Sequence, residues 1–459
     1  MTPIYADTPA DPAQYLPPAP QQHPVITPET AQSPTPPPAD PPVQQPPVQP
    51  PADLGGQIEH VAAYVAARGF VFEPWQIAAF ITAVRTKPFV ILAGISGTGK
   101  TKLPRLVAEA TGAECVTVPV RPDWTDSSEL LGYERLDGSF QPGELLRVAR
   151  EAWQNPDRQF FFVLDEMNIA RVEYYLAEVL SQLESRAPDA DGRVVSGPLA
   201  PHLAGSAHDE WATVGLPANL CLVGSVNMDE TTFGFSKKVL DRAFVIEFST
   251  VDLFQVKPVD TGSVAPVAWG SAEWRVPALA LGGHPAAGTQ QVTSIIEILA
   301  PVNEILTQGQ LQFGYRVRDE ITMFCLTAKD CAELFTTPGS GTVDPLDLAI
   351  AMKVLPRVQG GGATVRGVLE GLQRWAAGGS GTVGGPQGAA AEDGQPGSTG
   401  EAGPSVSTEE DGQPGSAAAP GAGGGQQDAG QGAQYPFCAD RLALMLRRLQ
   451  ETGFTTFWL

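Results

Sequence analysis

Gly94-Ile95-Ser96-Gly97-Thr98-Gly99-Lys100-Thr101 is the stretch on which the reading of this chain turns. It follows an apolar run, Phe89 to Leu92, and precedes Leu103, Leu106 and Val107 at helical spacing. Strand, glycine turn and helix N-terminus in that order make G-x-x-x-x-G-K-[ST] a phosphate-binding loop. Glycines let backbone amides converge on an anion, and the helix's unpaired amides and dipole add to the attraction. Gly94, Ser96, Gly97, Thr98 and Gly99 form the cradle, Lys100 reaches the β- and γ-phosphates of a nucleotide, and Thr101 offers its hydroxyl to Mg2+.

Outward from the loop, apolar runs and amphipathic stretches alternate. Strands are predicted at 89–93, 115–120, 160–164, 220–226 and 244–248, with helical patterns between them, such as Val172, Leu176, Val179, Leu180 and Leu183 on one face. Such alternation argues for an α/β fold, a parallel sheet covered by helices on both sides. Two short helices, around Val61 to Val65 and Trp75 to Ile81, lead into the first strand. The division expected is a disordered proline-rich arm at 1–55, a nucleotide-binding domain at 56–250 and a connector at 251–284. A small all-helical lid at 285–375, a disordered Gly/Ala/Gln-rich insert at 376–434 and a last lid helix at 435–459 complete it. The arm and the insert lack the large apolar side chains that would offset their ordering entropy. The repeated Glu-Asp-Gly-Gln-Pro-Gly-Ser at 392–398 and 410–416 reads as slippage within the insert.

Three further signals carry chemistry. Phe160-Phe-Phe-Val-Leu-Asp165-Glu166 is an apolar strand ending in two acids; Asp165 would hold Mg2+, and Glu166 would deprotonate the attacking water. Asn227, closing the strand Leu220 to Val226, is placed to sit between a γ-phosphate and that water, or else is a turn-forming amide. Arg242, in Lys237-Lys-Val-Leu-Asp241-Arg242, would project toward a neighbouring subunit's nucleotide as an arginine finger; a surface ion pair with Asp241 is the alternative.

These elements, Walker A at 94–101, Walker B at 160–166, Asn227 and Arg242, resemble an AAA+ NTPase in order and spacing. More narrowly, several stretches resemble the McrB family, near the dynein-related and MoxR groups: Val120-Arg-Pro-Asp-Trp124-Thr-Asp126, Leu131-Gly-Tyr, Asp165-Glu-Met-Asn168-Ile-Ala-Arg171-Val-Glu173, Val226-Asn-Met-Asp-Glu-Thr-Thr232 and Phe313-Gly-Tyr-Arg316-Val-Arg318-Asp-Glu320. McrB proteins are GTP-driven motors of modification-dependent DNA restriction. The resemblance covers about residues 57–375 and 435–459. It implies a five-stranded parallel sheet, a helical lid, a homo-oligomeric ring (a hexamer) with nucleotide between subunits, and an McrC-like nuclease partner. A MoxR-like protein-remodelling chaperone is the alternative. The family resemblance would also make Arg316 the lid residue that touches the γ-phosphate, with Arg318 the runner-up, and would put Trp124 either at the ring's channel or in packing. Two departures limit the likeness. The family's GTP preference goes with Asn-x-x-Asp, whereas Asn227 is followed by Met, Asp229 and Glu230, so ATP is favoured and GTP is the alternative. The place of the family's DNA-recognition domain is taken here by the proline-rich arm, so direct reading of modified bases by this chain is unsupported.

The 459 residues include 49 glycines and 43 prolines and carry a formal charge of -22. An acidic chain repels nucleic acid, so any DNA contact needs a local basic patch, an assembled channel or a partner. The five cysteines form no C-x-x-C pair, which excludes a zinc ribbon and leaves buried thiols in a reducing cytoplasm as the expectation. No signal peptide and no bilayer-length apolar run is expected.

Overall fold

The computed structural model describes residues 53–200, 209–228, 233–256, 258–260, 262–337, 341–379 and 432–458. The arm and most of the insert lie outside them, as do Asp229, Glu230 and Thr232. The centre is a five-stranded, fully parallel sheet: β1 Phe89–Gly94, β2 Glu114–Pro119, β3 Phe160–Asp165, β4 Leu220–Asn227 and β5 Phe244–Phe248, in the order β5-β1-β4-β3-β2. Phe89 to Ala93 and Phe161 to Leu164 have no exposed surface. That explains why these strands read as continuous apolar runs and not as alternations. At about 1.5–3 kcal/mol per buried large apolar side chain, these runs anchor the core.

Helices α1 Leu54–Ala67, α2 Pro74–Val84, α3 Lys102–Thr111 and α4 Glu144–Gln154 cover the sheet. The first begins two residues inside the stretch assigned to the arm, because the Asp53 side chain accepts the Gly56 amide and caps it. The single helix expected over 172–183 is two short ones, Val172–Tyr175 and Ala177–Gln182, broken at Leu176. The connector is not a free linker. Val267 and Trp269 donate their amides to the last carbonyls of α3 (Ala110 and Thr111), and Trp274 packs edge-on against Phe161.

The lid contains α5 Gln290–Thr307, α6 Tyr315–Ala328, α7 Pro345–Lys353, α8 Gly362–Ala376 and, after the insert, α9 Pro436–Thr452. Asp347 of α7 accepts the amides of Phe437 (2.7 Å) and Cys438 (2.9 Å), capping α9 from another element. Where α8 leaves and α9 returns, Trp375 and Tyr435 stack with centroids 4.3 Å apart, and the Tyr435 amide bonds the Ala376 carbonyl. Three small antiparallel pieces have no counterpart among the predicted strands: 132–134 with 140–142, 187–188 with 194–198 and 215–217, and 360–361 with 454–455.

Candidate active site

The phosphate loop leaves β1 at its carboxyl end, between β5 and β4, the crevice where open parallel sheets bind ligands. Gly94 has φ of 153°, and a Cβ there would meet the Phe248 carbonyl at 2.2 Å, so only glycine lets the loop turn this close to β5. At Gly97 (φ 83°) a Cβ would meet nothing within 4 Å; its face is open where an anion would approach. Beside Gly99 lies Phe72, edge-on to Phe248 (5.9 Å) and stacked with Phe70 (6.5 Å), an aromatic wall beside the cradle.

Register brings the chemistry to the loop. Gly94 stands opposite Asn227, and Leu164 opposite Gly224, so Asp165 and Glu166 emerge beside Ser225 and Asn227. Thr101 Oγ1 donates to Asp165 Oδ1 at 2.6 Å, and Asn227 Nδ2 donates to Glu166 Oε1 at 3.2 Å. Lys100 Nζ donates to the Ile95 carbonyl at 2.6 Å, folded back over the loop. Ser225 was missed by sequence reasoning. Its hydroxyl donates to Asp165 Oδ1 (2.5 Å) and accepts the Glu166 amide (2.9 Å), fixing both acids. A lone hydroxyl in the apolar strand Leu220 to Val226 was the available signal. Glu166 has φ of 53°, a left-handed backbone that a side chain rarely adopts, which aims its carboxylate off the strand end.

A hydroxyl and a carboxylate 2.6 Å apart make a hard-oxygen pair that fits Mg2+, an ion usually held by one or two protein ligands plus phosphate and water. Among the described residues no group of three or more His, Cys, Asp or Glu stands ready to hold a metal alone.

The two arginines lie elsewhere. Arg242 donates to the carbonyls of Leu180 (2.9 Å) and Lys238 (2.6 Å) and pairs with Glu184 (3.3 Å), while Asp241 pairs with Arg357 (3.2 Å). The ion pair with Asp241 is therefore not formed. Arg316 also bonds Glu184, which stands 3.8 Å from Lys87 just ahead of β1. At ~3.3 Å per residue, the two ends of β1 are roughly 16 Å apart. Arg316 thus stands at the amino end of β1, away from its own chain's phosphate loop, while another lid residue, Arg441 of α9, pairs with Glu247 near the carboxyl end of β5. Arg318 bonds its neighbour Asp319 and covers the Tyr315 ring. Trp124 is buried against Tyr175 (5.3 Å, edge-on), the packed one of the two positions expected for it. A cleft of about 1160 Å³ opens at this same edge, lined by Lys87, Glu184, Arg186, Arg193, Arg275 and Arg316 among others; it is away from the phosphate loop.

The AAA domain family, dynein-related subfamily, matches residues 89–240, from β1 to the helical turn before Arg242. This part of the chain is an AAA domain. A domain of unknown function (DUF8727) matches residues 280–454, the lid. The chain is similar to the Escherichia coli (strain K12) type IV methyl-directed restriction enzyme EcoKMcrB subunit, 27% identical over 176 residues, 36% of this chain and 35% of that one. The chain thus spans about a third of the length of the curated relative it matches. A crystal structure from Cytophaga hutchinsonii, described as that of a candidate ATPase, superposes with a TM-score of 0.42 at 13% identity, over 66% of this chain and 87% of that one. The chain carries an McrB-like AAA+ domain with the P-loop NTPase fold. Among the described residues no helix is long and apolar enough to cross a membrane.

Proposed function

We propose that the protein hydrolyses a nucleoside triphosphate at the seam between identical subunits of a ring, with ATP favoured and GTP the alternative. The observation that supports this best is the separation of the machinery. Thr101, Asp165, Glu166 and Asn227 gather at the carboxyl edge of the sheet, while Arg242 and Arg316 share Glu184 at the amino edge. One chain can then supply the phosphate cradle and the next the arginines.

Lys100 would exchange the Ile95 carbonyl for the β- and γ-phosphates, which are stronger acceptors. Thr101 and Asp165 would hold Mg2+, which supplies charge neutralisation on the phosphates. Glu166 would take the proton of the attacking water, aligned by its bond to Asn227 and by the Ser225 clamp on its amide. Arg242 and Arg316 of the next subunit would leave Glu184 for the charge developing on the transferred phosphoryl. The wall of Phe70 and Phe72 would flank the base.

By its likeness to the McrB subunit, the ring is read as a cytoplasmic hexameric motor of a restriction system with an McrC-like nuclease partner. Hydrolysis of ATP and GTP measured side by side, with and without duplex DNA, together with sizing in a slowly cleaved analogue, tests this. Ring formation and DNA-stimulated phosphate release are expected. A chain that stays monomeric in saturating analogue and releases no phosphate overturns the shared site. Stimulation by a protein client alone would favour the remodelling alternative.

A further inference from the structure

Lys353, the last residue of α7 in the lid, has a side chain with no exposed surface. Its ammonium bonds the Glu320 carboxylate of α6 at 2.5 Å and donates to two backbone carbonyls, Asp241 at 3.2 Å and Ala243 at 3.0 Å. Those residues stand on either side of Arg242. The ammonium also lies 4.9 Å from the centroid of the Phe244 ring, the first residue of β5. Glu320, itself almost fully buried, reaches Lys87 at 3.3 Å, and Arg357, just beyond α7, bonds Asp241. The lid therefore grips residues 241–244 at four points.

A buried ion pair is a poor source of stability, since an apolar pair of the same volume often does as well. What it does supply is direction, because each ammonium proton must find its acceptor. Here one of those acceptors is the carbonyl of the peptide joining Asp241 to Arg242, and the other, on Ala243, lies one peptide beyond Arg242, so the short segment carrying the Arg242 side chain is held at both ends. Packing alone would have been served by a leucine or methionine.

We propose that Lys353 is a positioning residue for Arg242, through which the lid of one protomer sets how its arginine meets the nucleotide of the next. This rests on the shared-site reading above. Any shift of α7 pulls on the carbonyls of Asp241 and Ala243, the residues on either side of Arg242, so lid position in one subunit is coupled to turnover in its neighbour.

The test separates the two sides of a seam. Lys100→Ala subunits keep the arginine and lack the cradle; Arg242→Ala subunits keep the cradle and lack the arginine. Mixed, they should recover turnover. Lys353→Met with Glu320→Gln, which strands no charge and keeps the volume, is then placed in one partner at a time. In the Lys100→Ala partner it should lower the recovered kcat by about tenfold with KM for nucleotide little changed. In the Arg242→Ala partner it should change recovery by less than about twofold. Equal losses in both placements, as a general folding defect would give, overturn the proposal, and so does no loss in either. Failure of the parent mixture to recover any turnover removes the shared seam, and this inference with it. Should the double variant not fold, Lys353→Arg keeps the positive charge beside Glu320 but cannot set the same donors on both carbonyls. It should give a smaller loss with the same dependence on placement; a loss independent of placement overturns the proposal.

Discussion

The two edges of one sheet are built on different principles. At the carboxyl edge the groups are joined by short, mostly single hydrogen bonds, and Lys100 bonds a carbonyl of its own loop. At the amino edge, Lys87, Glu184, Arg242, Arg316, Glu320 and Lys353 form a continuous ionic web that ties lid to core, with the Arg357–Asp241 pair beside it. The first edge has few bonds to break before a polyphosphate can enter. The second must hold several charges in mutual register, which a web does and an isolated surface pair does not. On the shared-site proposal, Arg316 and Lys353 place this part of the lid on the arginine side of the reaction, while Arg441 of α9 pairs with Glu247 near the carboxyl end of β5.

The largest effect expected is at the open edge. Glu166→Gln should lower phosphate release by about 10,000-fold while nucleotide binding, followed by fluorescence of a labelled analogue, is kept. Normal turnover in that variant would break the assignment of the base. At the ionic edge, Arg242→Ala should cost about 1,000-fold in kcat yet recover when mixed with Lys100→Ala subunits, because the lesions fall on opposite faces. Arg316→Ala should cost less, about tenfold, as the loss of one charge-assisted bond. If its defect were cured only by an intact cradle on the same chain, the assignment of the lid to the arginine side would fail.

Legibility in the sequence divides along the same line. The loop, Asp165, Glu166 and Asn227 could be read because each stands at the end of a buried apolar run whose register is fixed by neighbouring strands. The position of Arg316 could not. It depends on how the lid docks, and that is decided by long-range pairs such as Lys353 with the carbonyls of Asp241 and Ala243. Glu184, which collects two arginines and a lysine, looks in sequence like any solvated acid. The small antiparallel pieces escaped because strands of two to five residues rich in Gly and Pro carry no usable alternation.

The smallest effect expected lies outside both edges. Burial lifts the Asp347 carboxyl to about 6, above the ordinary 3.8. The folded chain therefore holds that proton longer. The stability this contributes is complete below the ordinary value and is lost as pH rises through about 6. Asp347→Asn should flatten that part of the pH–stability curve in thermal unfolding. Asp347→Ala, which also uncaps α9, should cost about 1 kcal/mol and leave kcat unchanged.

The Trp375–Tyr435 stack makes the helical pair self-sufficient: the backbone is already joined across its gap before residues 380–431 are counted. A flexible segment added at such a gap costs ring closure, about 0.6 kcal/mol for each doubling of length. The position is a natural port. A fluorophore, an affinity handle or a foreign module could be spliced there.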